Sequence, residues 1–176
     1  MMSVYFYTER LLIRDAEPRD AEDIHALMND GEVLRFNCFA PPSLEQVAEQ
    51  IEEGKYKYCV AERKTDRIIG FIGAENSLRY KVDSVCVSYM LNQAYTGKGY
   101  MSEALSGFLD YCFCKLGHRI VDARVFDDNE RSIKMMERLG FTHEGTLRCA
   151  VRGIDGKIHD DRLYALFREE YEKRKK

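Results

Sequence analysis

Tryptophan is missing from the 176 residues, and proline occurs only 3 times. No apolar run approaches the ~18 residues that a helical membrane span needs, so no membrane partner is expected. The opening MMSVYFYTER has no basic segment leading into a long apolar one, so no signal peptide is expected and the expected compartment is the cytoplasm. An excess of positive charge is missing too. Lys and Arg number 27 against 30 Asp and Glu, a net charge of −3. Phosphate-backbone binding wants a basic surface, so a nucleic-acid partner is not expected, although a local basic pocket stays compatible. The six cysteines (Cys38, Cys59, Cys86, Cys112, Cys114, Cys149) contain no C-x-x-C pair. They read as reduced thiols used as small core residues, with no metal implied. Repeats, linkers and low-complexity segments are absent as well.

What is present is an ordinary globular composition, 45% hydrophobic and 32% charged. The length fits one domain, 1–176, with 168–176 a charged tail, as a monomer or homodimer. Arg10 to Asp15 reads as a strand. Ala21, Ile24, Leu27 and Met28 share a helical face that Gly31 should stop. Ser43 with Gln46 forms a capping box for a helix turning Leu44, Val47 and Ile51 inward. KYCVAERK and RIIGFIGAEN are strands about a Thr65-Asp66 turn, and DSVCVSYML is a central strand. Leu105, Phe108, Leu109, Cys112, Phe113 and Leu116 mark a helix closed by Gly117. HRIVDARVF is a strand. A helix capped by Asp128 or Asn129 follows, with Ile133 and Met136 inward and Gly140 at its end. Two last strands flank Asp155-Gly156, which suits a type I′ turn. The order describes an α+β fold: a mixed, mostly antiparallel sheet of about seven strands with four helices and one parallel pair.

The stretch QAYTGKGYMSEALSGFL puts two glycines around a lysine where a strand gives way to a helix. Unpaired amides and the positive helix end make such a place an anion site. It is not a P-loop, because Lys98 lies between the glycines. It is not a dinucleotide fingerprint either, because Gly97-Lys98-Gly99-Tyr100-Met101-Ser102 lacks the third glycine.

The stretch resembles the pyrophosphate loop of the GNAT superfamily of N-acetyltransferases, [QR]-x-x-G-x-[GA]. Thr96 to Met101 aligns with it and supplies the central glycine as Gly99. Thr96 replaces the usual Gln or Arg, and Met101 the usual small residue. SYMLNQAYTGKGYMSEAL and DNERSIKMMERLGFTHEGTLR resemble two runs of the ribosomal-protein (RimJ/RimL-type) branch, and TERLLIR and GKIHDDRLYALFREEY match its ends. The resemblance implies a GNAT-like sheet that splays between its fourth and fifth strands, with acetyl-CoA bound there as cosubstrate and no metal.

The resemblance also implies the site residues. The backbone of Tyr89, Met90 and Leu91 would pair with pantetheine, and an amide near Met90 or Leu91 would bind the developing oxyanion. The pyrophosphate would lie on amides of Gly97, Lys98, Gly99, Tyr100, Met101 and Ser102, with Thr96 beside them. Lys98 either adds charge or is a solvated surface lysine. Asn129 would be both a helix cap and a hydrogen-bond partner of pantetheine. Direct attack of the amine on the thioester needs no cysteine nucleophile. Met136 stands where many relatives place a proton-donating tyrosine, so Ser132 is the candidate acid, with capping or solvent exposure as its plainer role. Arg124 stands where some relatives place a glutamate base. Glu75 is the remaining candidate base, with a surface glutamate as its plainer role. A water chain, or capture of an α-amine whose pKa is near ~8, would also serve.

The acceptor implied by the branch is a protein or peptide N-terminus. The alternatives are a small amine (polyamine, antibiotic or amino acid derivative) and a catalytically weak acyl-CoA-binding sensor. His159-Asp160 is open to an acceptor-contacting role.

Overall fold

The computed structural model describes residues 2–175, so Met1 and Lys176 fall outside it. The chain forms two compact units. One runs to Gly73 and resumes over Tyr89–Gly107; the other takes Ala74–Ser88 and the chain from Phe108 onward.

In the first unit the strands follow the order β1 (Val4–Tyr7), β2 (Leu11–Arg14), β3 (Tyr58–Glu62), most of β4 (Ile68–Asn76) and the end of β5 (Ser84–Leu91). The β1–β2, β2–β3 and β3–β4 pairs are antiparallel. Helices α1 (Ala21–Met28), α2 (Gly31–Arg35) and α3 (Leu44–Glu52) lie between β2 and β3 in the chain. Ile24, Val47, Ile51, Cys59, Ala61 and Ile68 form the core between helices and sheet. Arg14 is fully buried at its border, held by Asp20.

In the second unit the beginning of β5 pairs in parallel with β6 (Ile120–Phe126). β6 then pairs antiparallel with β8 (Ile158–Phe167), and β8 with β7 (Thr142–Arg152). The parallel register covers only Ser84–Val87 with Ile120–Ala123, although β5 runs to Leu91 and β6 to Phe126. This is the strand pair expected to splay. α4 (Tyr100–Asp110) and α5 (Glu130–Leu139) lead into and out of β6. Among the described residues, no helix is long and apolar enough to cross a membrane.

The α+β class and the parallel β5–β6 pair agree with the sequence reading, and several details differ. Among the described residues there are eight strands rather than about seven, because Val4–Tyr7 is a strand whose mixed burial gives no alternating signal. The same residues hold six α-helices where four were expected. Gly31 does not stop a helix: the Asp30 carboxylate accepts from the Glu32 and Val33 amides and starts α2 there. The charged tail is α6 (Arg168–Arg174), anchored by buried Tyr171. Leu44 is exposed, because it opens the first turn of α3 and only Val47 and Ile51 reach the core. Leu116 is exposed because Tyr111–Leu116 continues α4 as a wider π-helical turn, which rotates that residue off the apolar face. Of the six free cysteines, Cys38, Cys114 and Cys149 are exposed rather than in the core. In the β7–β8 turn only Gly156 has positive φ, so it is not type I′, which needs two such residues.

Candidate functional site

The glycine loop lies wholly in the first unit. After β5, Gln93–Tyr95 makes a short 3₁₀ turn, and the Thr96 hydroxyl donates back to Gln93 O at 2.9 Å. Gly97 and Gly99 both have left-handed backbone, φ +74° and +80°. That conformation is the reason for glycine at each. A Cβ built on Gly97 meets nothing within 4 Å, so the space on that side of the loop is open. The first loop-to-helix bond of α4 is Glu103 N–H to Gly99 O, at 3.0 Å. The amides at the helix opening therefore precede the intrahelical ladder and carry its positive end.

The side chains around the loop hold it rather than point out of it. Lys98 Nζ donates to Ala94 O at 2.9 Å, which favours loop bracing over a free surface charge. Met101 is buried, and its Cε lies 3.2 Å from where a Cβ on Gly70 would stand. The departure from a small residue at 101 is thus matched by a missing side chain at 70. Tyr100 donates its hydroxyl to Glu62 at 3.0 Å. Ser102 is half-buried in the first turn of α4.

Sequence reasoning missed a further group. The Glu103 carboxylate accepts from the Thr8 hydroxyl, from Arg10 N–H at 2.8 Å and from Arg10 Nε at 2.6 Å. Burial opposes its charge, but these donors outweigh it and hold the carboxyl below the usual range. Arg10 also donates to Lys98 O at 2.9 Å and lies over the Tyr100 ring. The signal available was TERLLIR, which shows a strand but not what its preceding turn touches.

Tyr89, Met90 and Leu91 are half-buried at the end of β5. Asn92 N–H donates to Ile69 O at 2.9 Å, and Met90 O lies 2.7 Å from the Cβ position of Gly70. Both groups face β4. Successive strand peptides alternate, so the Leu91 N–H faces away from β4. Of the two expected oxyanion donors, Leu91 is therefore the one with an outward amide.

The second unit holds the remaining expected residues. Asn129 caps α5, its side-chain oxygen accepting from Ser132 N–H at 3.2 Å. Ser132 is half-buried in the first turn, and Met136 is fully buried as core. Glu75 is exposed near the end of β4. Arg124, in the place of a relative's glutamate, donates through Nε to Asp161 at 2.8 Å. Asp161 is buried on the neighbouring strand. The Cys86 thiol is pushed up to about 11, first by burial and then by Asp122, so it stays protonated at neutral pH.

His159 and Asp160 each make structural contacts. His159 is buried and stacked on Phe126, while Asp160 accepts from Cys149 N–H at the β7 bulge. Asp127, Asp128 and His159 bring ligand atoms within 4.8 Å of one another. His159 Nδ1 lies 3.4 Å from an Asp128 carboxylate oxygen.

Comparison with known proteins gives a consistent pattern. The acetyltransferase (GNAT) domain model matches residues 10–142, running through both units. The uncharacterized N-acetyltransferase p20 of Bacillus licheniformis is 30% identical over 174 residues, covering 94% of this chain and 97% of that protein. The [ribosomal protein uS5]-alanine N-acetyltransferase of Escherichia coli (strain K12) is 30% identical over 173 residues, 90% of this chain and 88% of its own. The crystal structure of a GNAT-family acetyltransferase from Bacillus anthracis superposes with a TM-score of 0.85 at 24% identity, covering 96% of this chain and 100% of that one.

Proposed function

Since the chain belongs to the GNAT family of N-acetyltransferases, we propose that it takes acetyl from acetyl-CoA and passes it by direct attack to a primary amine, the N-terminal α-amine of a protein or peptide. The observation that carries the donor half is the loop itself: two left-handed glycines, open space beside Gly97, and a helix beginning at Tyr100. Such a loop fits a diphosphate, whose oxygens need closely approaching amides. The acceptor half is supported by the relative named as a [ribosomal protein uS5]-alanine N-acetyltransferase, which aligns over 90% of this chain.

In this reading acetyl-CoA, when bound, supplies an activated thioester. The amides opening α4 bind its diphosphate. The backbone of Tyr89 to Leu91 pairs with the pantetheine arm, and the outward Leu91 N–H donates to the developing oxyanion. The cap bond uses Asn129 Oδ1 and leaves its Nδ2 to donate to pantetheine. Ser132 protonates the leaving thiolate. Glu75 takes the proton from the incoming ammonium, since Arg124 is committed to Asp161.

Two measurements test this. Free-thiol release from acetyl-CoA should be fastest, by kcat/KM, with peptides bearing a free α-amine. Faster turnover of a polyamine or an amino acid derivative would move the acceptor to the small-amine class, and tight binding without turnover of any amine would make the protein a sensor. Ser132→Ala should lower kcat about a hundredfold while leaving the Kd for acetyl-CoA unchanged. An unchanged kcat would remove Ser132 from the chemistry.

A further inference from the structure

We infer that Arg10 is a positioning residue for the donor loop, aiming the Gly99 amide from the turn between β1 and β2. The inference rests on the acetyl-CoA reading above and adds a residue outside the loop motif.

Arg10 commits two of its three guanidinium nitrogens to the protein. Nη1 holds Lys98 O at 2.9 Å, and Nε holds Glu103 at 2.6 Å. Lys98 C=O and Gly99 N–H belong to one peptide unit. A trans peptide is planar, so these two groups point in opposite directions. No peptide bond among the described residues is cis. Fixing the carbonyl toward Arg10 therefore turns the Gly99 amide the other way, out of the loop. Left-handed glycines on both sides of Lys98 would otherwise let this peptide flip, because glycine crosses between positive and negative φ at little cost.

The turn carrying Arg10 is itself immobilised. Thr8 hydroxyl donates to Glu103, and Leu11 N–H donates to the Thr8 oxygen at 3.0 Å. Arg63 Nη1 holds Thr8 O at 3.0 Å and Glu9 O at 3.1 Å. One turn of α4 beyond Glu103, a Cβ on Gly107 would meet the Phe6 ring at 2.7 Å. β1 thus sits closer to the helix than any side chain there would permit.

The alternative role for an arginine beside such a loop is direct contact with phosphate, and the geometry disfavours it. The guanidinium is already paired with Glu103 and lies over the Tyr100 ring, 4.2 Å from its centre. The two roles give opposite results for one substitution. Glu103→Gln removes the negative charge but keeps the shape. If Arg10 bound phosphate, its freed charge would tighten acetyl-CoA binding. If Arg10 orients the loop through Glu103, binding weakens.

The test is isothermal calorimetry with acetyl-CoA on the wild type, Arg10→Gln, Arg10→Lys and Glu103→Gln, each checked for folding by circular dichroism. Steady-state kinetics with acetyl-CoA and with acetyl-pantetheine, which lacks the diphosphate, complete it. Arg10→Gln and Glu103→Gln should each weaken acetyl-CoA binding about tenfold, since each removes charge-assisted bonds. The loss should fall in KM for acetyl-CoA rather than in kcat, Arg10→Lys should recover part of it, and it should shrink with acetyl-pantetheine. Unchanged binding in folded variants, tighter binding by Glu103→Gln, or an equal loss with both donors would overturn the inference. A wild type that binds no acetyl-CoA would instead overturn the donor reading on which it rests.

Discussion

Gly99→Glu should abolish the stabilisation that acetyl-CoA gives the wild-type protein. A ligand present at ~100 times its Kd adds about 2.7 kcal/mol to the folded state. The substitution removes that gain in two ways. Gly99 has φ +80°, where an L residue costs roughly 1–2 kcal/mol, so the loop relaxes away from its amide-presenting form. The new carboxylate also brings negative charge to the amides proposed to hold the diphosphate. Its side chain starts 3.5 Å from Arg10, so the bracing of Lys98 O is disturbed as well. Differential scanning fluorimetry with and without acetyl-CoA checks the outcome. An undiminished shift in the variant would mean that the diphosphate lies elsewhere.

Asp20→Ala should destabilise the first unit by about 3–5 kcal/mol, because it strips a buried guanidinium of its buried carboxylate. Arg14 is 0% exposed, and its Nη1 and Nη2 reach the two Asp20 oxygens at 2.6 and 3.0 Å. The fork is bidentate, the strongest arrangement for such a pair. Asp20 also accepts from Glu17 N–H at 2.7 Å, so the truncation orphans a second donor. Asp66 reaches Arg14 Nε at 3.2 Å but is partly exposed and shared with Arg19, so it compensates little. Urea denaturation measures the loss. The double change Arg14→Met with Asp20→Leu should recover most of it, since two apolar residues need no partner. A double variant as unstable as Asp20→Ala would show that the pair contributes beyond mutual neutralisation.

The parts of this protein written in local chemistry were legible in the sequence. Ser43 with Gln46, Asn129 before α5, and Gly117 and Gly140 after their helices are caps whose side chains or φ values the structure reproduces. The glycine motif was legible for a similar reason, since the left-handed backbone at Gly97 and Gly99 is a local preference of glycine. What escaped depends on contacts between residues far apart in the chain. β1 has little alternation and is defined by its pairing with β2. Arg10 and Glu103 are separated by 93 positions, and neither has a local pattern that announces the other. Gly70 reads as an ordinary strand glycine until Met90 O and the Met101 side chain are seen filling the space its side chain would take. Leu116 was misplaced because periodicity assumes an α-helix where the chain makes a π turn. The chemical end of the site is less legible for a physical reason. Ser132 and Glu75, the proposed acid and base, would act through their placement against a substrate, and a serine in a first turn or a glutamate at a strand end is equally at home in solvent.

The most direct measurement is the fate of a labelled acetyl group. The wild-type protein would be incubated with isotope-labelled acetyl-CoA and a peptide carrying a free N-terminal alanine and an internal lysine, and tandem mass spectrometry would locate the label. The expected result is label on the α-amine, with one free CoA thiol released for each group transferred and none on the lysine. Acetyl-CoA that binds the protein yet leaves every amine unlabelled would contradict the assignment of the chain as a working N-terminal acetyltransferase.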